Sequence, residues 1–323
     1  MEKVRLQRLF NPASQRSLIV AIDHALFNNA AFLPGIENMP KIVGKVADAG
    51  ADGVLLSVGE APHLQRLPGR GKPGLMLRVD PANFYNTELP VSHLHCRVFD
   101  NAVEIALRLD AACILLNLLD IDGHPEMLNQ CVENVLRVKS DCDRYGMPLG
   151  IEPLSFRKTA DGYVGDGNPQ RVTTLARMAA ELGADIIKTD STEPEEEFHL
   201  VVEAASGVPV TVRGGSKASD LEVLEHTERL VAQGVAGCFQ RMNWALPPDP
   251  QWAATDFGLG DYESAGLVEV LLANEPEYCE KIMYARPEMV TPTHTHGKKK
   301  EDIICRSGAI RMTLWNANPL EHP

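Results

Sequence analysis

Short apolar, β-branched runs alternate with amphipathic stretches of helical period from near the start of the chain to about residue 240. Parallel α/β proteins produce this rhythm because each buried strand is followed by a helix that covers it. Eight strands are expected, over residues 17–22, 53–57, 75–79, 112–116, 149–152, 185–188, 208–213 and 235–239. Helices are expected over 39–49, 97–109, 125–145, 169–182, 194–206 and 219–233, several opening on proline and closing near glycine, the residues that favour helix starts and stops. Eight alternating strands predict an α/β protein of the (β/α)8 TIM-barrel class, and no Gly-x-Gly-x-x-Gly follows the first strand to favour an open dinucleotide-binding sheet.

The pattern changes after the eighth strand. No covering helix is evident there, and Ala245-Leu246-Pro247-Pro248-Asp249-Pro250 reads as a linker or extended arm, because proline removes helical donors. Gly-punctuated strands over 267–272, 280–285 and 309–314 then predict a small β domain. The expected division is a barrel at 1–244 and a partial β domain at 245–323.

Composition narrows the partners. The 323 residues are 44% hydrophobic with a net charge of -13, enough apolar content for a large core. The acidity argues against nucleic acid or an anionic membrane surface, since both would repel it. A small molecule is the expected ligand. Seven scattered cysteines without a Cys-x-x-Cys pair suggest neither a disulfide framework nor a thiolate zinc site. With no leader and no apolar stretch long enough for a bilayer, a soluble cytoplasmic protein is expected.

In a barrel the C-terminal strand ends ring the active site, and here they close on polar residues. Asp23-His24 follow the first strand, Arg78 and Asp80 the third, Asn117 the fourth, Glu152 the fifth, Lys188 and Asp190 the sixth, and Arg213-Gly214-Gly215 the seventh. A contribution from most strands points to a site rather than to unrelated caps, with His24, Arg78, Asn117, Asp190 and Arg213 as candidate substrate contacts. Lys188 ends a buried strand, where a lysine either snorkels to water or, desolvated, supplies a neutral amine that attacks a carbonyl to form a Schiff base. Such chemistry needs a proton shuttle. Asp23 or Glu152 suits that role, and either equally suits a plain ion pair with Lys188. Backbone N–H groups of Gly214 and Gly215, beside Arg213 and Lys217, offer a cradle for phosphate.

A second cluster is His294-Thr295-His296-Gly297-Lys298-Lys299-Lys300-Glu301. Histidines at alternate positions of an extended strand share a side, and Glu301 can return to them, giving three nitrogen and oxygen ligands suited to manganese, iron or zinc. The same residues also fit a solvated hairpin.

Two family resemblances emerge from these residues. Ala21-Ile22-Asp23-His24, Ile186-Ile187-Lys188-Thr189-Asp190 and Pro209-Val210-Thr211-Val212-Arg213-Gly214-Gly215-Ser216-Lys217 resemble the class I aldolases grouped around archaeal-type fructose-bisphosphate aldolase and deoxyribose-phosphate aldolase. Ile151-Glu152-Pro153-Leu154-Ser155-Phe156 is similar to tagatose-bisphosphate aldolase, in which a glutamate on that strand takes part in proton transfer. Over residues 10–240 the resemblance implies a Schiff base on Lys188, acid/base work by Asp23 and Glu152, no cofactor, a sugar or sugar-phosphate substrate and a homo-oligomer. The phosphate-binding Gly-Arg-Asn that follows strand eight in those enzymes corresponds to Gln240-Arg241-Met242-Asn243, which keeps Arg241 and lacks the glycine. The tyrosine that archaeal-type members place after strand five has no counterpart, with Phe156 nearby.

The stretches 252–261, 279–283 and 291–308 are similar to the cupin-fold D-lyxose isomerases, over about residues 245–317. That resemblance implies a divalent metal, manganese or zinc, on His294, His296 and Glu301, which match three of the family's four ligands, with Lys299 as its active-site lysine. The fourth ligand, a histidine of a later strand, has no counterpart here. The expected activity is that of a class I aldolase. The alternatives are an aldolase/sugar-isomerase fusion, or a degenerate fusion whose tail serves only in oligomerisation.

Overall fold

The computed structural model describes residues 4–12, 15–27, 33–69, 71–84, 94–160 and 162–214, and in the C-terminal part 251–255, 257, 259, 265–275, 278–285, 288–293 and 303–313. After a 3-10 helix (Val4–Leu9), the chain forms β1 (Ile19–Ala21), α1 (Met39–Asp48), β2 (Gly53–Ser57), α2 (Ala61–Gln65), β3 (Gly74–Arg78), α3 (Ala102–Arg108), β4 (Cys113–Ile121), α4 (Pro125–Tyr145) and β5 (Leu149–Thr159). There follow β6 (Gly162–Gly165), α5 (Pro169–Glu181), β7 (Ile186–Thr189), α6 (Phe198–Ala204) and β8 (Val210–Val212). Strands β1-β2-β3-β4-β5-β7-β8 lie side by side in chain order and all pair in parallel. This is the sheet of a TIM barrel through its seventh strand. The expected eighth strand, the helix over 219–233 and the linker at 245–250 lie outside the described residues.

The two-residue period of a strand sorts this sheet into faces. Val54 and Leu56, Leu75 and Leu77, Ile114 and Leu116, Ile151 and Ile187 point into the main apolar core. The alternate set, Leu55, Met76, Cys113, Leu115 and Ile186, forms a second cluster with Leu9 of the N-terminal 3-10 helix. That inner cluster fills the N-terminal end of the barrel, and Leu9 is fully buried there. Gly74 marks how tightly the N-terminal segment sits: a Cβ on it would lie 2.6 Å from the Arg8 carbonyl oxygen and 2.9 Å from Leu9 Cδ2.

Several elements depart from the expected bounds for visible reasons. Residues 97–101 are not helical, because Asn101 takes a left-handed φ of 55° just before α3, and α4 holds the preceding loop through Asn134 and Gln130. The segment expected as one helix over 194–206 is a 3-10 turn (Glu195–Glu197) followed by α6. Strands β4 and β5 run past their expected ends and stay paired as far as Ile121 and Phe156. Beyond that point β5 folds back on β6 in an antiparallel hairpin that its polar residues Arg157, Lys158 and Thr159 did not announce. Arg171 of α5 pins the region by ion pairs to Asp120, Asp122 and Asp166.

In the C-terminal part, β9 (Gln251–Thr255), β10 (Leu267–Glu275) and β11 (Tyr278–Ala285) form an antiparallel sheet with β10 in the middle. Leu267, Val268, Val270 and Ile282 are its buried apolar positions. Strand β9 was not expected, since Ala253 and Ala254 are poor strand formers. The strand expected over 309–314 is absent across its described part, 309–313, which is exposed and pairs with no strand among the described residues. A lone extended segment has no ladder to stabilise it. Among the described residues no helix is long and apolar enough to cross a membrane.

Candidate active site

The same two-residue period builds the site. One inner position beyond the apolar layer, Ala21 leads to Asp23, Met76 to Arg78, Leu115 to Asn117 and Ile186 to Lys188. On β5 the corresponding layer position is Gly150, where a Cβ would come within 2.8 Å of Leu115 Cδ1, and Glu152 follows it. Five polar residues contributed by five strands, Asp23 just past β1 and the others within theirs, therefore converge on one level. Each is buried: Arg78 and Asn117 are 0% exposed, Glu152 2%, Asp23 4% and Lys188 8%.

Their bonds form a chain. Lys188 Nζ donates to Glu152 Oε1 at 2.6 Å. Arg78 Nη2 donates to Glu152 Oε2, so both oxygens of that carboxylate are occupied. Arg78 Nε donates to Asp23 Oδ2 at 2.9 Å, and Arg78 Nη1 lies 3.5 Å from Asp80 Oδ1. Asp23 Oδ1 accepts no hydrogen bond from the described residues. Asp80 sits behind the arginine, its Oδ2 accepting from the Asn117 N–H at 2.6 Å and from Cys96 Sγ at 3.4 Å.

This packing acts on the proton affinities. Burial alone would raise the Glu152 carboxyl, but Lys188 and Arg78 beside it hold it well below the usual carboxylate range. Burial dominates at Asp80 and pushes it up to about 6, against the opposing pull of Arg78 and the Asn117 N–H. Burial likewise works against the charge of Arg78, yet Glu152, Asp23 and Asp80 together raise its pKa further. His24 opens a short 3-10 helix next to Asp23, and burial lowers its pKa.

The outer residues are arranged separately. Arg213 follows β8 and forks onto Asp190, with Nη2 to Oδ2 at 2.9 Å; its backbone N–H donates to the Thr189 carbonyl at 2.7 Å. Among the described residues nothing lies within 4 Å of where a Gly214 Cβ would stand. Gly215, Lys217 and Arg241 lie outside the described residues, as do His294, His296, Lys299 and Glu301. Among the described residues no group of three or more His, Cys, Asp or Glu is placed to hold a metal.

Cys96 was not foreseen, having been read only as a core cysteine, and Asp80 stood in the polar strand-end set without a role; their contact joins residues 16 apart in the chain, with no local spacing to reveal it. What the assembled group offers follows from its parts: a shielded lysine held against a carboxylate as an ion pair, whose amine, once it has lost its proton, can add to a carbonyl.

Known proteins are similar to both parts of the chain. The family model of the DeoC/LacD family aldolases matches residues 17–239, and that of D-lyxose isomerase matches residues 249–323. An uncharacterised aldolase of Saccharolobus solfataricus is 27% identical over 281 residues, which is 83% of this chain and 97% of that protein. The 3-hydroxy-5-phosphonooxypentane-2,4-dione thiolase of Klebsiella pneumoniae is 31% identical over 235 residues, 72% of each chain. Among solved structures, a Schiff base forming fructose-1,6-bisphosphate aldolase superposes with a TM-score of 0.56 at 27% identity, covering 72% of this chain and 87% of that one. An archaeal fructose-1,6-bisphosphate aldolase with its catalytic lysine covalently bound to the carbinolamine intermediate superposes with a TM-score of 0.58 at 26% identity, covering 72% and 88%.

Proposed function

The chain belongs to the DeoC/LacD family of aldolases, and on that premise we propose that it cleaves a ketose phosphate reversibly through a Schiff base on Lys188. The observation that carries this reading is the buried Lys188 amine 2.6 Å from Glu152 on the inner ring of strand ends. The lysine amine, having passed its proton to a carboxylate, adds to the substrate ketone, and the carbinolamine loses water to give an iminium ion. The carbon-carbon bond beyond it then breaks. Its electron pair moves into an enamine as the proton of the neighbouring hydroxyl passes to a carboxylate. Asp23 is the acceptor we assign to that proton, through the Oδ1 that carries no bond from the described residues; Glu152 serves the amine. Protonation of the enamine carbon and addition of water to the iminium release the second product and restore Lys188.

Arg213, Gly214, Gly215 and Lys217, with Arg241, are assigned to the phosphate end, and His24, Asn117 and Asp190 to the sugar chain between. A sugar phosphate is favoured because the solved structures above are fructose-1,6-bisphosphate aldolases. A second reading, transfer of an acyl group, has the 31% identical thiolase in its support. For the C-terminal part, matched by the D-lyxose isomerase family, we assign a divalent metal, manganese or zinc, to His294, His296 and Glu301, with Lys299 beside it, and place the boundary between the parts at residue 244. The subunit is taken to form a homo-oligomer.

Borohydride reduction in the presence of dihydroxyacetone phosphate tests the central claim. Mass spectrometry should place a stable adduct on the peptide containing Lys188 and find none in K188M. Absence of the adduct with several ketose phosphates would overturn the aldolase reading.

A further inference from the structure

Arg78 is, with Asp80, the most deeply buried ionisable group of the site, each 0% exposed. A guanidinium in that position is costly unless each of its edges is paired, and here the edges meet three carboxyls from three directions. Nε takes Asp23 at the end of β1, Nη2 takes Glu152 of β5, and Nη1 faces Asp80 just past β3. A planar fork fixes angles as well as distances, which the point charge of a lysine does not. The consequence is an uneven division of acceptor sites. Glu152 has both oxygens engaged, one by Lys188 and one by Arg78, whereas among the described residues Asp23 has Oδ2 engaged and Oδ1 open.

We propose that Arg78 is a positioning residue of the reaction: it fixes Glu152 against Lys188, turns Asp23 so that Oδ1 faces the substrate, and through its charge sets the acid side of the pH profile. This rests on the aldolase reading. The groups that face the cluster are Asp23 and His24 after β1, Asp80 on the strand of Arg78 itself with Cys96 against it, Glu152 of β5, Lys188 of β7, and Arg213 after β8, whose charge also reaches Glu152. Arg78 is the cation they share. Without it, two neighbouring cations remain near Glu152, and three acids lie together with less to balance them.

The test needs no knowledge of the sugar, because dihydroxyacetone phosphate alone reports two steps. Borohydride trapping reports the Schiff base. Exchange of a C3 hydrogen with solvent deuterium, followed by NMR, reports the next step, in which the C3–H bond breaks, the proton passes to a carboxylate and the electron pair enters the enamine. R78K keeps the charge and loses the fork, and should slow exchange about 10-fold with the acid limb in place. R78M loses both, and should slow exchange about 100-fold and move the acid limb up by about one pH unit. R78Q stands in for it if R78M does not fold. The Lys188 adduct should persist in all variants. An intact adduct with exchange profiles that superimpose on the wild type, or losses that merely follow the melting temperature with no movement of the limb in the neutral variants, overturns this proposal alone. A wild-type protein with no adduct on Lys188 overturns the aldolase reading and this proposal with it.

Discussion

At the scale of single residues, the site is governed by which charges are buried together. Asp80 and Glu152 both lie within reach of Arg78, yet their proton affinities move in opposite directions. Asp80 is raised from 3.8 to about 6. Its burial therefore costs stability above that pH, and the cost is relieved as the pH falls towards 3.8, a change of about 3 kcal/mol. Glu152 is depressed, so its contribution is complete above the ordinary carboxylate value and is lost as the pH falls below it. Acidification should first strengthen and then weaken this cluster. Replacing Asp80 with Asn should remove the first phase: denaturant titrations between about pH 4 and 6 should show wild-type stability rising on acidification relative to D80N. Parallel curves would contradict the assignment. The residues themselves were visible in the sequence as polar strand ends, and their shared level follows from counting two beyond Ala21, Met76, Leu115 and Ile186. A pairing of Lys188 with Asp23 or Glu152 was open from the sequence, as the Glu152 contact bears out, but the bonds of Arg78 were not visible. That Arg78 would meet carboxyls from β1 and β5 depends on how the sheet curls, which no local spacing encodes.

Among the elements, those whose signals are local were legible and those held by distant partners were not. β2 occupies the expected residues, and α4 runs from its proline to Tyr145 with Gly146 as its left-handed C-cap. The β5–β6 hairpin was missed because its polar strands are held by pairing and by the ion pairs of Arg171, both contributed by other segments. The N-terminal 3-10 helix was missed for a similar reason. Its turn is too short for a periodic pattern, and its place depends on the space above Gly74. That dependence is measurable: G74A puts a methyl group against the Arg8 carbonyl and should cost about 1–3 kcal/mol in thermal or denaturant unfolding. An unchanged melting temperature would mean that this segment does not press on β3. Gly150 is constrained in the same manner by Leu115 and Ile114, so the two glycines mark where the inner layer leaves no room for a side chain.

Taken whole, the molecule carries two family signatures in succession, one over residues 17–239 and the other over 249–323. Their chemistries separate experimentally. Amine catalysis at Lys188 draws on no metal in the proposed steps, whereas the histidines assigned in the second part are metal ligands or nothing. Dialysis against EDTA should leave the Lys188 adduct undiminished while stripping whatever metal co-purifies, and metal content should fall in H294A/H296A. Loss of the adduct on chelation would contradict the separation. One feature of the barrel also bears on the order of events. Leu9, Leu55, Met76, Cys113, Leu115 and Ile186 pack as an apolar layer on the N-terminal side of the Lys188 level, so among the described residues that side offers no polar path to the amine. On the proposed aldol cleavage, both products then leave by the C-terminal rim through which the substrate came. The aldehyde, which is not attached, goes first, and the ketone fragment, tethered through its nitrogen, waits for water to follow it in. In that reading the tether imposes a queue, and in the reverse direction the ketone must be captured before the aldehyde can be used.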